Sequence, residues 1–503
     1  MLSIRKLSFC IFIIFAVVAC KKGFNGEKTP QSPPNTFMAV DSIHRVGADR
    51  LTTRVVANWW GTSEVGFVVG YEVSVDSMKT WQYTTRQDSA ILLNIPLGSD
   101  SADIHIFVRA VDNLGLKDPS PASTLYPIKN SAPSVKFIYA ASVGGSLTQN
   151  PTIAFPVLKY NFQGNDPDGS GDIYQYELYL NDTNASPYIL NAGTSSITIQ
   201  GVKLDSLTST TECLVFVGSN SKALSIRAQG LKLNTSNTIY IRAVDKALAK
   251  SQLMASNPIY VKRPVSDILL VNAYSGGNLS VTNFYSTRAV NQGFSKFDTL
   301  LLTELDGTNY TQLAPDLLTQ SRTFSLFKKI IWFSDNAQLS LSVGQQSTKD
   351  FFDNNGKIFM ALDITSSFDA QSNLLDFTPA QSLVSLPTGD QFKIANNSIV
   401  KPLYSNWPTL KTNASINRPR PFTIPNNSAS SSYQFDSLYT GNLFVTYPSN
   451  IWTGTSSIMS IRRKTGGKAN FIFTTLPIQS LDGNNNIDSL FNKVLISELE
   501  FNK

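Results

Sequence analysis

The chain has 503 residues, with 42 lysines and arginines against 36 aspartates and glutamates, a formal charge of +6. No dense basic block carries that excess, which argues against nucleic acid as the partner. A chain of this length supplies several packed cores, since domains usually run about 100–200 residues, and its three cysteines are too few for a disulfide framework.

The amino terminus reads as a processing signal. Arg5 and Lys6 precede a stretch from Leu7 to Ala19 that is almost wholly apolar. That stretch is shorter than the roughly 20 residues a membrane-spanning helix needs, and it has the length of a secretory signal. It ends in Val17-Val18-Ala19-Cys20, which resembles the lipobox of bacterial lipoproteins. The resemblance implies that residues 1–19 are a signal peptide and that the Cys20 thiol carries diacylglycerol, anchoring the chain to a membrane. Lys21 and Lys22 follow, without the Asp that resembles an inner-membrane retention signal, so the outer membrane is expected. Loss of the leader removes Arg5, Lys6 and Cys10 and leaves Cys213 as the one free cysteine, so no intrachain disulfide is expected. Residues 20–36, rich in Pro, Gly and polar side chains, read as a tether. Later apolar runs are strand-sized, such as Ile268-Leu269-Leu270-Val271.

Residues 37–263 read as short strands separated by turn signals, with alternation as in Tyr71-Glu72-Val73-Ser74-Val75. A repeat is visible. Ile104-His105-Ile106-Phe107-Val108-Arg109-Ala110-Val111-Asp112 is echoed by Ile239-Tyr240-Ile241-Arg242-Ala243-Val244-Asp245. Upstream, Gly70-Tyr71-Glu72-Val73 is echoed by Gln175-Tyr176-Glu177-Leu178. Two all-β immunoglobulin-like sandwiches are therefore expected, over 37–129 and 130–263. The Tyr-Glu and Arg-Ala-Val-Asp strands resemble those of fibronectin type III domains, with Trp59 or Trp60 as the core tryptophan. The second copy departs from the pattern. It has extra length around Ser206 to Leu224 and no evident early tryptophan.

One loop here points to chemistry. Asp166-Pro167-Asp168-Gly169-Ser170-Gly171-Asp172 with Glu177 has EF-hand-like spacing. The flanks are strand-like rather than helical. A strand starting at Ile173 puts Glu177 about 15 Å away at ~3.3 Å per residue. That leaves a calcium (Ca2+) loop of Asp166, Asp168 and Asp172, against the alternative of a solvated turn. Trp81, near the turn at Asp76 to Lys79, is a candidate exposed sugar platform.

At Pro264 the pattern changes. Ile268–Val271, Thr299–Leu302, Lys329–Phe333 and Lys357–Leu362 are continuous apolar strands, with helices expected over 281–289 and 337–354. Residues 365–440, rich in Asn, Ser and Pro, read as long insertions with few regular elements. Ala469–Phe473 is a further strand, and Ile487, Leu490, Phe491, Val494, Leu495 and Leu499 recur at helical spacing. The expectation for 264–503 is an α/β three-layer domain with a mostly parallel, flavodoxin-like sheet. Phe327–Phe333, Phe351–Phe359 and Gly467–Pro477 resemble segments of the class I glutamine amidotransferase-like fold.

That family's chemistry needs a cysteine nucleophile and a histidine base, and residues 265–503 contain neither. A degenerate, non-catalytic domain is implied. Glu304, Asp306, Asp335 and Asp363 stand at expected strand ends, where they could line a ligand crevice or act in pairs on a glycosidic bond. Gly276-Gly277 lacks the spacing of a phosphate loop. The pattern Asp-(Ser/Thr)-apolar occurs at Asp41, Asp76, Asp88, Asp100, Asp205, Asp298, Asp436 and Asp488, against roughly two cases at average usage. It resembles an acceptor motif for O-glycosylation of exported proteins in some Gram-negative bacteria. The resulting expectation is an anchored envelope lipoprotein that binds or scaffolds polysaccharide or another envelope protein. A carboxylate-dependent glycan hydrolase and a purely structural lipoprotein are the alternatives.

Overall fold

The computed structural model describes residues 31–39, 54–96, 99–138, 151–168, 171–302, 316–364, 373–385, 392–428, 432–445 and 451–501. The leader, Cys20, most of the tether, Asp41, Glu304 and Asp306 lie outside the described residues. Strands make up 43% of the chain and helices 14%, so the protein is mostly β. Among the described residues no helix is long and apolar enough to cross a membrane. The chain divides into two compact units.

The first unit holds residues 1–133 together with 165–174 and 244–250. Its sandwich has one sheet of Asn35–Met38, Arg54–Thr62 and Asp88–Leu92. The other sheet runs Gln82–Thr84, Val68–Ser74, Ser101–Asp112, Ala122–Lys129. Alternation sets the core, because successive strand residues face opposite sides. Ile106, Val108 and Ala110 are fully buried. Trp59 is 1% exposed and its Nε1–H donates to the Arg86 carbonyl at 3.0 Å, so it is the core tryptophan, while Trp60 faces out. The sandwich begins inside the stretch expected to be tether. Thr36 is buried, its N–H donates to Asp118 Oδ2 at 2.7 Å, and its hydroxyl accepts from the Ala110 N–H at 2.7 Å.

The second unit holds residues 134–164, 175–243 and 251–503. The second sandwich has a five-stranded sheet ordered Arg227–Lys232, Thr210–Val217, Ser196–Gly201, Val157–Asn165, Ser134–Ile138. Facing strands are Tyr188–Asn191, Ile173–Leu180, Ile239–Asp245 and Met254–Ala255. The extra length near Ser206 to Leu224 supplies Thr210–Val217, which pairs with strands on both sides. Cys213 on that strand is fully buried, and burial pushes its thiol up to about 12. The repeat in the sequence is an ion pair in the fold. Arg109 meets Glu72 at 2.6 Å in the first copy, and Arg242 meets Glu177 at 2.5 Å in the second.

Within this unit the second sandwich packs closely on the carboxyl-terminal sheet region. Phe155 meets Phe327 edge to face at 5.1 Å between ring centroids, and Lys159 pairs with Asp316 at 2.8 Å. The main sheet has nine strands. Five are parallel: β1 (Ile268–Ala273), β2 (Asp298–Leu301), β3 (Lys329–Ser334), β4 (Lys357–Leu362) and β5 (Ala469–Thr474), in the order 2-1-3-4-5. Antiparallel strands Ser457–Lys464, Tyr433–Gly441, Ile399–Pro402 and Leu410–Lys411 extend it beyond β5.

Half of the ladders are thus antiparallel, which corrects the expectation of a mostly parallel sheet. The antiparallel half comes from Ser457–Lys464 together with strands of residues 365–440, a stretch expected to carry few regular elements. There, two- to nine-residue strands are broken so often by Asn, Ser and Pro that no alternation shows.

Helices α1 (Leu279–Asn291) and α5 (Ile487–Phe491, continuing as a wide turn through Asn492–Glu498) cover one face of the parallel strands. They pack Val281, Tyr285, Leu490, Phe491 and Val494 on Leu270, Ile331, Phe333, Phe359 and Ile472. Helices α2 (Leu317–Phe324), α3 (Ala337–Ser347) and α4 (Lys349–Asp353) cover the other face through Phe324, Leu341 and Phe351. Burying each such side chain stabilises the fold by roughly 1.5–3 kcal/mol. The helix expected over 337–354 is broken at Thr348, whose hydroxyl donates to the Gly344 carbonyl at 2.6 Å.

Candidate functional site

Strand order reverses at β1, which lies between β2 and β3. In an open sheet of this kind, ligands bind beyond the carboxyl ends of the strands at such a reversal. After β1 the chain turns through Tyr274, Ser275, Gly276 and Gly277, where both glycines take positive φ, 68° and 61°. Any side chain there would be strained. Asn278 then caps α1, accepting from the Ser280 N–H at 3.1 Å. Asp335 follows β3 and accepts from the Ser275 N–H at 2.7 Å and the Ser275 hydroxyl at 3.1 Å, tying the ends of β1 and β3 together. Asp363 follows β4, anchored by its N–H donating to the Ser334 carbonyl at 2.7 Å. Gln479, after β5, donates to the Tyr274 hydroxyl at 2.8 Å.

Two of the expected strand-end carboxylates, Asp335 and Asp363, are therefore brought together, while Glu304 and Asp306 lie outside the described residues. Burial pushes the Asp363 carboxyl up to about 6, and the charge of Asp335 pushes the same way. Neither carboxylate is in an ion pair among the described residues. Burial holds the hydroxyls of Tyr274 and Tyr285 well above the ordinary phenol range. The fully buried Tyr285 hydroxyl has no partner among the described residues. A carboxylate that accepts, a carboxyl that holds its proton to mildly acidic pH, a phenol and an amide form a set matched to hydroxyl groups.

The expected calcium loop lies in the first unit. Asp166 is 5% exposed and Asp168 fully buried, and Asp172 sits 3.6 Å from Lys246. Gly169 and Ser170 lie outside the described residues. Glu177 is held by Arg242 instead.

The first sandwich carries surface aromatics. Trp81, the expected sugar platform, is instead capped by Arg109, whose guanidinium lies 4.0 Å over its ring. The exposed pair is one not anticipated. Phe37 and Trp60, cross-strand partners, stack at 5.7 Å and 20° with 42% and 46% of their surface exposed. A signal for it was present. Adjacent tryptophans in a strand must face opposite sides, so one of Trp59 and Trp60 had to point outward. Between Gln82–Thr84 and Asp88–Leu92 the same sandwich has a cleft of about 520 Å³ lined by Tyr83, Gln82, Ser89 and Asn94. Of the glycosylation-like acceptors, Ser77 and Ser206 are exposed and Thr299 is half-buried in β2.

No family model matches the chain, and no curated protein matches it. Among solved structures it is similar to the fibronectin(III)-like modules of Clostridium thermocellum CbhA, at 15% identity over 45% of this chain and 94% of that one, TM-score 0.17. The central fibronectin-III array of RIM-binding protein aligns at 10% identity over 46% and 99%, TM-score 0.15. Chitinase ChiA74 from Bacillus thuringiensis aligns at 15% identity over 45% of this chain but only 28% of the enzyme, TM-score 0.14. At these TM-scores the alignments carry no argument, and the sandwich architecture rests on the sheet pairing itself.

Proposed function

We propose that the protein is an envelope lipoprotein, anchored by a lipid on Cys20 to the outer membrane, whose folded part binds polysaccharide without transforming it. In this reading the two sandwiches are fibronectin type III-like, supported by the shared Glu–Arg pair and the core Trp59. Residues 264–503 are a degenerate relative of the class I glutamine amidotransferase-like fold, supported by the 2-1-3-4-5 order of its parallel strands. The absence of Cys and His from residues 265–503 removes the nucleophile and base on which that family's chemistry depends.

The observation that carries the binding reading is the exposed Phe37–Trp60 stack. The two near-parallel stacked rings leave an exposed apolar edge and face on which a sugar ring could pack. The test is retention of the full chain on envelope polysaccharides, followed by tryptophan fluorescence. Replacing Trp60 and Phe37 by alanine should abolish retention. Equal retention by that variant would refute the platform. Mass spectrometry of the native protein tests the anchor, since a thioether-linked diacylglycerol at Cys20 is required.

One observation favours a second reading, glycan hydrolysis. Asp363, pushed up to about 6 by burial and by the neighbouring charge of Asp335, suits a general acid with a second carboxylate beside it. Release of reducing ends by the full chain, lost in Asp363→Asn, would establish it.

A further inference from the structure

We infer that the mouth between β1, β3 and β4 binds a primary ammonium group, as carried by an amino sugar or a small amine, with Asp363 and Asp335 as its acceptors and Tyr285 and Gln479 beside them. Three neighbouring strands and one helix build the site, all within the second unit. It is independent of the Phe37–Trp60 platform and requires no bond cleavage.

Register puts the groups in one row. Ala273 pairs with Ser334, and Ser334 with Leu362. Tyr274, Asp335 and Asp363 therefore stand side by side one step beyond, at strand spacings of about 4.8 Å. Strand residues alternate between faces, and Leu270, Phe333 and Ala361 belong to the core under α1 and α5. Tyr274, Asp335 and Asp363 fall in the same phase, on that face. From the helix side, Tyr285 stacks on Phe333 at 4.2 Å between ring centroids. Burial, and then the nearness of Tyr274 and Asp363, holds the proton on its hydroxyl. Gln479 reaches in from beyond β5 and donates to the Tyr274 hydroxyl at 2.8 Å. Ser275 and Gly276 at the rim are exposed, so the row opens to solvent.

What this row leaves unsatisfied is almost entirely acceptors. Among the described residues nothing donates to the Asp363 carboxyl. Asp335 gives Oδ1 to Ser275 and keeps its second oxygen. Gln479 Oε1 is buried without a partner, and so is the hydroxyl of Tyr285, a residue with no exposed surface. The titratable groups facing Asp363 are Asp335, Tyr274 and Tyr285, with no lysine, arginine or histidine among the described residues. A hydroxyl offers such a row one proton and no charge. An ammonium offers three donors and a positive charge, which two adjacent carboxyls in a partly desolvated cleft lack. A bare metal ion is a poorer match, because among the described residues no three carboxylate, His or Cys groups gather around one point.

The experiment is isothermal titration of the full chain with glucosamine, N-acetylglucosamine, glucose and ethylamine. Glucosamine carries an ammonium where glucose has a hydroxyl and N-acetylglucosamine an uncharged amide. It should bind about tenfold more tightly than either, the worth of a charge-assisted hydrogen bond. Ethylamine binding as tightly as glucosamine assigns the source to a small amine, and weaker binding assigns it to an amino sugar; both keep the site. The ammonium needs Asp363 ionised, and that carboxyl takes its proton at about 6, so affinity should fall about tenfold from pH 7 to pH 5. Asp363→Asn keeps the shape and should fold at least as well as the parent, yet lose the preference for glucosamine over glucose. Tyr285→Phe removes a hydroxyl without a partner, so it should fold normally and bind glucosamine several-fold more weakly. Asp205→Asn, an exposed carboxylate of the second sandwich, should bind like the parent. Equal affinity of the parent for glucosamine and glucose would overturn the site, as would undiminished glucosamine affinity in Asp363→Asn or Tyr285→Phe. Retention of the parent on polysaccharide without any glucosamine binding would overturn it too, and leave the Phe37–Trp60 platform standing.

Discussion

Asp363 costs the fold stability at neutral pH, and that cost is measurable. Its carboxyl is lifted from an ordinary 3.8 to about 6 by burial and by Asp335. At ~1.4 kcal/mol for each tenfold change in proton affinity, this amounts to about 3 kcal/mol. Partial solvent contact screens the charge and brings the expected range to about 1–3 kcal/mol. Above pH 6 the group is ionised in folded and unfolded chains alike, and the whole penalty is present. As pH falls from about 6 to 3.8 the folded chain takes up its proton first, so stability rises. Below that window both states are protonated and the penalty is gone. Asp363→Asn should therefore be the more stable protein at pH 7.5, and its advantage should shrink to a small fraction of that value by pH 4. Urea denaturation of the full chain at pH 7.5, 6, 5 and 4 reads this directly. Asp166 and Asp172, which titrate in the same direction, are common to both proteins and cancel in the difference. Equal midpoints at pH 7.5, or a gap that persists into acid, would refute the reasoning and mean that Asp363 has a compensating partner.

The two adjacent tryptophans should behave oppositely. Trp59→Ala empties a buried core position and should cost about 3–5 kcal/mol, while Trp60→Ala should stay within about 0.5 kcal/mol of the parent; denaturant midpoints of the first unit check both. Asp298, fully buried, accepts the Val265 N–H at 2.7 Å and pairs with Lys262 at 2.8 Å. Asp298→Ala strands that lysine and should destabilise by about 3 kcal/mol, the low end for a broken buried pair because Lys262 keeps some solvent; urea midpoints of parent and variant at pH 7.5 measure it. Cys213 is fully buried with its thiol at about 12, so a thiol-specific disulfide reagent should modify it only at the rate of unfolding. Fast labelling at pH 8 without denaturant would contradict this.

The parts of the fold visible in the sequence were those with a period or a repeat. The Arg-Ala-Val-Asp echo was legible because an ion pair and a turn-capping aspartate recur in both copies. The final helix was legible because Ile487, Leu490, Phe491 and Val494 form one stripe against the sheet. The antiparallel extension was not, because Ile399–Pro402 and Leu410–Lys411 are too short for alternation to register. Asp335 and Asp363 could be named as strand-end residues. Their meeting depends on β3 and β4 being neighbours in the sheet, which is a fact of topology and not of spacing.

How the chain treats its buried carboxylates separates framework from function. Glu177, Asp298 and Glu498 face Arg242, Lys262, and Arg463 with Lys493. Asp118 is held by backbone N–H groups of Thr36 and Ser120. In each case removal of one partner destabilises the fold, which is reason enough for the pair to be kept. Asp166 and Asp363 obey the opposite rule. Each is pushed to about 6 by burial and by like charges, and neither is in an ion pair among the described residues. Packing gains nothing from them, and an amide of the same shape would relieve the repulsion. Local violations of this sort persist where something outside the fold answers them. For Asp363, the binding proposed above would supply such a group, a ligand offering hydrogen bonds at the mouth between β1 and β3. If Asp363→Asn proved more stable than the parent at pH 7.5 yet had lost ligand binding, stability and function would be pulling on that one side chain from opposite directions.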